Sequence, residues 1–74
     1  MKTLTESKLI SKEGTFPHSV SLNDTASPIT PFSTHLKIYE EGREPYFVSG
    51  DYFDTLEEAV TAFKGRCLEY GLKA

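Results

Sequence analysis

The sequence predicts an α+β domain: a small antiparallel sheet of three or four strands packed against one C-terminal amphipathic helix. Three observations carry that expectation. Leu56, Val60, Phe63, Cys67 and Tyr70 recur at steps of four, three, four and three, the period of a single helix face. Ahead of them, the short apolar runs Leu36–Tyr39 and Tyr46–Val48 flank a polar loop, 40–44, with Gly42 near its centre as a hairpin loop requires. Earlier still, His18-Ser19-Val20-Ser21-Leu22 alternates with the period of a half-buried strand.

The helix carries its own start and stop signals. Asp54 with Glu57, or Thr55 with Glu58 one register later, spells a capping box, and the acids suit the positive end of the helix dipole. Gly71 is placed for the left-handed position after the helix, with Leu72 folding back as the apolar partner of a Schellman cap. The helix is therefore expected over Thr55 to Tyr70. Ala59 lies beside the stripe, and Leu68 is expected to widen it from the flank. Glu57, Glu58, Thr61, Lys64 and Glu69 take the opposite side. Gly65 costs roughly 1 kcal/mol against alanine and is expected to be tolerated.

The strands are less uniform in their signals. Asn23-Asp24 ends the alternating segment, since both side chains can bond their own backbone in a turn. Residues 25–34 carry no charge, and Pro28 and Pro31 push Ser27 and Thr30 toward extended geometry. That stretch reads as a stiff extended connection whose Ile29 and Phe32 pack on the rest; its P-x-x-P spacing also matches a proline-rich ligand, on thinner grounds. A strand over Lys8–Ser11, turning through Glu13-Gly14, is expected before it, and a disordered stretch over 1–7 is the rival. Pro45 stands at the entry of the next strand, where a missing N–H is tolerable. Ser49-Gly50-Asp51 reads as a tight turn or a bulge, with Gly50 supplying the permissive backbone. Residues 35–72 form the strand-strand-helix core, in which Leu36, Ile38, Tyr46 and Val48 supply the sheet face under the helix.

Seventy-four residues fit one domain, 1–74, with a thin core. Nine aromatics help such a core, because each buries a large area. A single cysteine, Cys67, excludes an intrachain disulfide and favours a reducing compartment. The first ten residues lack the pattern of a signal peptide, and no run approaches the roughly 20 apolar residues of a membrane span. A cytoplasmic protein with no membrane association is expected.

Charge is the one surface feature that stands out. Seven acids, Glu40, Glu41, Glu44, Asp51, Asp54, Glu57 and Glu58, face only Arg43 between residues 40 and 58, a local balance of minus six in a chain of minus three. If the hairpin loop and the helix start converge, Tyr39, Glu40, Glu41, Glu44, Tyr46, Asp51, Tyr52, Glu57 and Glu58 form an acidic patch interleaved with tyrosines. Such a patch can steer and dock a basic protein surface. It could also imitate nucleic-acid phosphate, which is the less expected use.

A sheet backed by one helix, with Tyr52-Phe53-Asp54-Thr55 at the helix start, loosely resembles the arm-type DNA-binding domains of phage integrases over about residues 36–66. The resemblance implies a nucleic-acid-binding sheet. Those domains present basic sheets, whereas the eight basic residues here are scattered among acids. Direct nucleic-acid binding is therefore disfavoured.

Other chemistries find little footing. His18 and His35 lie seventeen residues apart with no ligand-spaced cysteine or histidine pair, so no metal is expected. No nucleophile elbow or glycine-rich phosphate loop occurs, and no cofactor is implied. Glu57 and Glu58 are adjacent on a helix and cannot work together on one substrate as acid and base. Cys67 falls late on the apolar stripe, where burial raises a thiol pKa. The expected function is a small noncatalytic protein-binding module, a modulator or inhibitor that docks a basic partner. The alternative is a structural or accessory homodimer.

Overall fold

The alternating and β-branched segments do become strands. The computed structural model describes residues 1–72 and holds β1 (Lys2–Glu6), β2 (His18–Asp24), β3 (Phe32–Ile38) and β4 (Tyr46–Phe53), followed by α1 (Leu56–Glu69). The strands form one antiparallel sheet in the order β1-β2-β3-β4, a plain meander. The α+β architecture with one C-terminal helix is as expected, and the sheet has four strands.

The fourth strand comes from an unexpected place. Residues 1–7, read as a disordered rival, supply β1, which pairs with β2 from Lys2 opposite Asp24 to Glu6 opposite Ser21. The anticipated strand over Lys8–Ser11 is reduced to a single bridge between Ile10 and His18. That bridge still buries Ile10, and the turn through Gly14 follows, with φ at 82°. Threonine-rich β1 has β-propensity but no alternation of apolar residues, so periodicity could not find it.

Of the segment 25–34, residues 25–31 form a hairpin loop and not an extended connection, and 32–34 already belong to β3. The Thr25 N–H donates to the Pro31 carbonyl at 2.9 Å, and the Thr25 hydroxyl donates to Thr30 at 2.7 Å, which closes the loop. β3 then starts at Phe32, four residues before the expected Leu36. Ile29, expected to pack, is 79% exposed at the loop tip. Side-chain bonds from Ser27 and Thr25 to the loop backbone organise the turn without it.

The helix termini follow the sequence closely. Thr55 is the N-cap, its hydroxyl accepting from the Glu58 N–H at 3.2 Å while the hydroxyl proton goes to the Glu58 carboxylate at 3.0 Å. Of the two capping registers, the second is the one used. At the far end Gly71 has φ of 74°, the Gly71 N–H donates to Leu68 and the Leu72 N–H donates to Cys67, which is the full Schellman pair.

The buried helix face is rotated from the predicted stripe. Ala59 and Cys67 are fully buried, with Phe63, Arg66 and Tyr70 half-buried around them. Leu56 is 47% exposed, and Leu68 faces solvent. Arg66 takes part of the interface instead, because the covered sheet face presents polar groups. Its guanidinium donates to the Thr34 hydroxyl at 3.2 Å and lies 3.9 Å from the Asp51 carboxylate.

Helix α1 crosses the sheet diagonally. It starts just past the end of β4, where Phe53 pairs with Phe32. It ends at Tyr70, whose ring meets His18 edge-on at 6.3 Å. His18 belongs to the opposite end of the sheet, paired with Ile38, which in turn pairs with Tyr46. Helix packing reaches β2, β3 and β4 and stops short of β1. The sheet corner made by Leu36, Ile38, Tyr46 and Val48 is thus left beside the helix and not beneath it. The thinnest dimension, 16 Å, matches one sheet and one helix, so the other sheet face has no covering layer.

A bulge in β4 fixes what lies on that open face. Thr34 pairs with Asp51 and Leu36 with Val48, so His35 alone opposes both Ser49 and Gly50. The left-handed backbone falls on Ser49, with φ of 53°, and not on Gly50. Gly50 is required for space: a Cβ there would lie 2.2 Å from His35 Nε2. The ring is hemmed in by Phe47 and Tyr52, both edge-on at about 5.5 Å, so it has little room to yield. Gly50→Ala should destabilise the fold by about 1–3 kcal/mol. Adding His35→Ala should recover part of that loss, with a coupling above about 0.5 kcal/mol. Urea unfolding of both single variants and the double checks it, and strict additivity would refute the contact.

Candidate functional site

The topology divides the nine acidic and aromatic candidates between two ends of the sheet. The β3–β4 loop lies at one end of β4 and the helix start at the other. Tyr39, Glu40, Glu41, Glu44 and Tyr46 therefore gather at the hairpin end, while Asp51, Tyr52, Glu57 and Glu58 lie at the far end. At about 3.3 Å per residue, Glu44 and Asp51 are on the order of 20 Å apart. That exceeds the screening length of about 8 Å at physiological salt, so the two groups act as separate charges toward a partner.

The far-end acids have structural employment. Glu58 completes the helix cap and Asp51 neighbours Arg66. Glu57 sits in the first turn, where its charge complements the helix dipole. Tyr52 belongs to the open sheet face, with its hydroxyl 3.5 Å from His35 Nε2.

The hairpin end is arranged differently. The Gly42 backbone, with φ of 82°, lets the loop turn so that the Arg43 N–H donates to the Glu40 carbonyl at 3.1 Å. Arg43 then stacks over the Tyr46 ring at 4.7 Å and pairs with the Glu40 carboxylate at 3.1 Å. Glu41 and Glu44 stay exposed, with no ion-pair partner among the described residues. Tyr39 turns to the open face, where its hydroxyl donates to Glu6. Burial first, and then the Glu6 carboxylate, push the Tyr39 pKa above its ordinary value.

Two clefts meet beside this loop. One, of about 430 Å³, is lined by Thr15, Phe16, His18, Leu36, Ile38, Tyr46 and Val48, the corner the diagonal helix leaves open. The other, of about 490 Å³, runs along Phe16, Pro17 and the loop residues Tyr39–Arg43. Phe16 borders both and is 49% exposed. The Tyr39 N–H donates to the Pro17 carbonyl at 2.9 Å, which ties the Phe16 segment to the hairpin. Composition pointed to the acids here, but the apolar floor was assigned to the helix contact. Only the crossing direction of α1 distinguishes these outcomes, and no local pattern encodes it.

The open face holds a network that sequence reasoning did not find. Lys37 can only donate, and its ammonium donates a hydrogen bond to the Thr3 hydroxyl at 3.3 Å. The Thr3 hydroxyl in turn donates to Asn23 Oδ1 at 3.3 Å, and Asn23 Nδ2 faces Ser33 Oγ and His35 Nδ1, each at 3.3 Å. Nδ1 must accept, so neutral His35 carries its proton on Nε2, facing Tyr52. Glu6 joins through Lys37 at 3.4 Å and Ser19 at 3.5 Å. Ser19, Ser21, Asn23 and Ser33 are fully buried beneath these longer side chains, although no second layer covers the face. Ser33 and His35, at 3.1 Å, have the spacing of a nucleophile and its base, but Ser33 is sealed from any substrate. The available signal was the i, i+2 run Ser33, His35, Lys37 opposite Ser19, Ser21, Asn23.

Among the described residues no group of histidine, cysteine and acidic side chains could hold a metal ion, and no helix is long and apolar enough to cross a membrane. Cys67 is buried, and its burial raises the thiol pKa, which leaves less of the nucleophilic thiolate. Comparison with known proteins finds no matching family, no matching curated protein and no matching solved structure.

The His35 network gives stability a pH dependence. Burial first, then the nearby Arg66 charge, lowers the His35 pKa, and Asp51 offsets this in part. The unfolded chain, with its histidine near 6.5, takes up the proton first as pH falls. The contribution of neutral His35 is thus complete above about pH 6.5 and is lost on acidification until the lower folded pKa is passed. Urea unfolding between neutral and acid pH should show stability falling by at most about 1.4 kcal/mol per pH unit from this group. His35→Gln should flatten that dependence; an unchanged slope would mean that His35 is not its source.

Proposed function

We propose that the protein is a small noncatalytic binding module that docks a basic surface of a protein partner through its β3–β4 end. The observation that carries this reading is the pairing, at one end of the sheet, of Glu41 and Glu44, which have no ion-pair partner among the described residues, with the aromatic side chains of Tyr46 and Phe16 beside an open cleft. Aromatic groups supply contact area at small entropic cost, and an acidic rim steers a basic partner and rejects an acidic one. The far-end residues Asp51, Tyr52, Glu57 and Glu58 drop out of the docking surface, because their charges and hydroxyl already serve the helix cap, Arg66 and His35.

The structural homodimer remains the alternative, favoured by the same uncovered apolar corner. Sedimentation at micromolar concentration separates the two. A docking module stays monomeric alone and forms a salt-sensitive complex with its partner.

Affinity capture tests the charge requirement directly. Raising salt from about 0.1 M to about 1 M shortens the screening length from about 10 Å to about 3 Å and should release the partner. The exposed loop pair Glu41→Lys and Glu44→Lys should abolish capture at moderate salt while leaving the unfolding midpoint nearly unchanged. A partner retained equally by the charge-reversed chain would rule the reading out.

A further inference from the structure

We infer that the cleft floored by Leu36, Ile38, Tyr46 and Val48 is the seat of an apolar anchor side chain carried by a lysine- or arginine-flanked segment of the partner. The inference rests on the docking function proposed above and adds to it the site and the chemistry of the occupant.

The case begins with what the fold leaves undone. A two-layer domain gains by covering every apolar sheet residue, yet α1 runs off toward β2 and leaves Leu36, Ile38 and Tyr46 only half-buried and Val48 exposed. Val48 is 39% exposed and sits in line with Leu36, its register partner, while Ile38 pairs with Tyr46 in the next row. Two rows of apolar side chains on neighbouring strands make a floor, and Phe16 stands beside it as a wall. The volume of about 430 Å³ would hold a leucine- or phenylalanine-sized anchor with part of its flanking chain. No acidic, lysine or arginine side chain lines that cleft, so it offers an occupant burial and no carboxylate or fixed cation to pair with.

Charge decides which occupant fits. Across Phe16 the second cleft carries Glu40 and Glu41, and Glu44 lies on the same loop. Arg43 already shows how a cation is received there: it lies flat on Tyr46 and reaches Glu40. Glu41 and Glu44 have no such internal cation among the described residues. A segment with an apolar side chain in the first cleft and a lysine or arginine a few residues away would place that cation by these carboxylates. A second copy of the chain fits less well, because its own corner would bring a second set of Glu40, Glu41 and Glu44 against the first.

The test is a titration of the full chain, followed by methyl and amide NMR. The probe is a synthetic peptide with leucine anchors flanked by lysines; the control replaces the lysines with glutamates. The expected result is that the basic peptide moves the methyl signals of Leu36, Ile38 and Val48 together with the Glu41 and Glu44 amides. Val48→Asp should weaken binding at least about tenfold, whereas Val48→Thr, which keeps the shape, should weaken it less. An unchanged amide spectrum elsewhere shows that the variants fold. Shifts confined to the loop amides, with silent methyls, overturn the cleft while sparing the electrostatic docking reading. Equal binding of the acidic peptide overturns the charge argument and with it the proposed function. Concentration-dependent methyl shifts without peptide overturn the inference in favour of a second copy.

Discussion

One short helix has to cover a four-stranded sheet, and most features of the molecule follow from its inability to do so. A helix of 14 residues is about 21 Å long and about 10 Å wide with its side chains. Four strands at about 4.8 Å spacing present a wider surface than that. The helix therefore takes the diagonal and packs on β2, where Ala59 and Cys67 of the helix and Val20 and Leu22 of the strand are all buried. Ala59 matters because a small side chain allows the close approach, and Arg66 matters because it satisfies Thr34 and Asp51 within the contact. The cost is a bare corner at the hairpin end and a second sheet face with no cover at all.

The uncovered face is stabilised by a different means. Its short serines and Asn23 lie under a canopy of longer side chains from the flanking strands: Glu6 from β1, Lys37 from β3, and Phe47 and Tyr52 from β4. Each buried hydroxyl and amide finds a partner, and no buried side-chain nitrogen or oxygen is left unpaired among the described residues. That satisfaction is what lets polar groups replace a hydrophobic layer, since an unpaired buried polar group costs about 1–3 kcal/mol. His35 is the keystone, and the β4 bulge with Gly50 is what admits its ring. Burial within that network first, and then the Arg66 charge, favour the neutral imidazole, to which Asn23 points a donor at Nδ1.

Local signals were legible where chemistry and chain geometry coincide within a few residues. The helix start to within one residue, at Asp54 or Thr55, the Schellman end at Gly71, the hairpin glycine at position 42 and the alternation of β2 could all be read directly. What escaped was whatever depends on pairing between distant segments. β1 has no apolar alternation, so its existence depends on the edge that β2 offers. Leu56 fits the helical period but faces solvent, because the crossing direction of α1 is set by sheet residues such as Thr34 and Asp51. Gly50 was read as a backbone requirement, yet the reason for glycine there is a ring fifteen positions earlier in the chain. The acidic candidates were legible as residues, whereas their separation into two ends follows from the length of β4.

Separation of the acids changes what each group can accomplish. At the far end Glu58 is bound into the helix cap, Asp51 lies by Arg66 and Glu57 sits by the positive end of the helix dipole, so their charge serves the fold. At the hairpin end Glu41 and Glu44 have no ion-pair partner among the described residues, and of the three loop glutamates Glu40 alone is paired there, with Arg43. A loop that stores unrelieved negative charge beside an uncovered apolar corner is poorly satisfied on both counts when alone. On the docking reading proposed above, charge neutralisation and apolar burial are available to the same partner in one step. Since neither half is strong in water by itself, a partner that meets both requirements is distinguished from one that meets either. That conjunction, and not the acidity alone, is what makes the β3–β4 end the distinctive surface of the molecule.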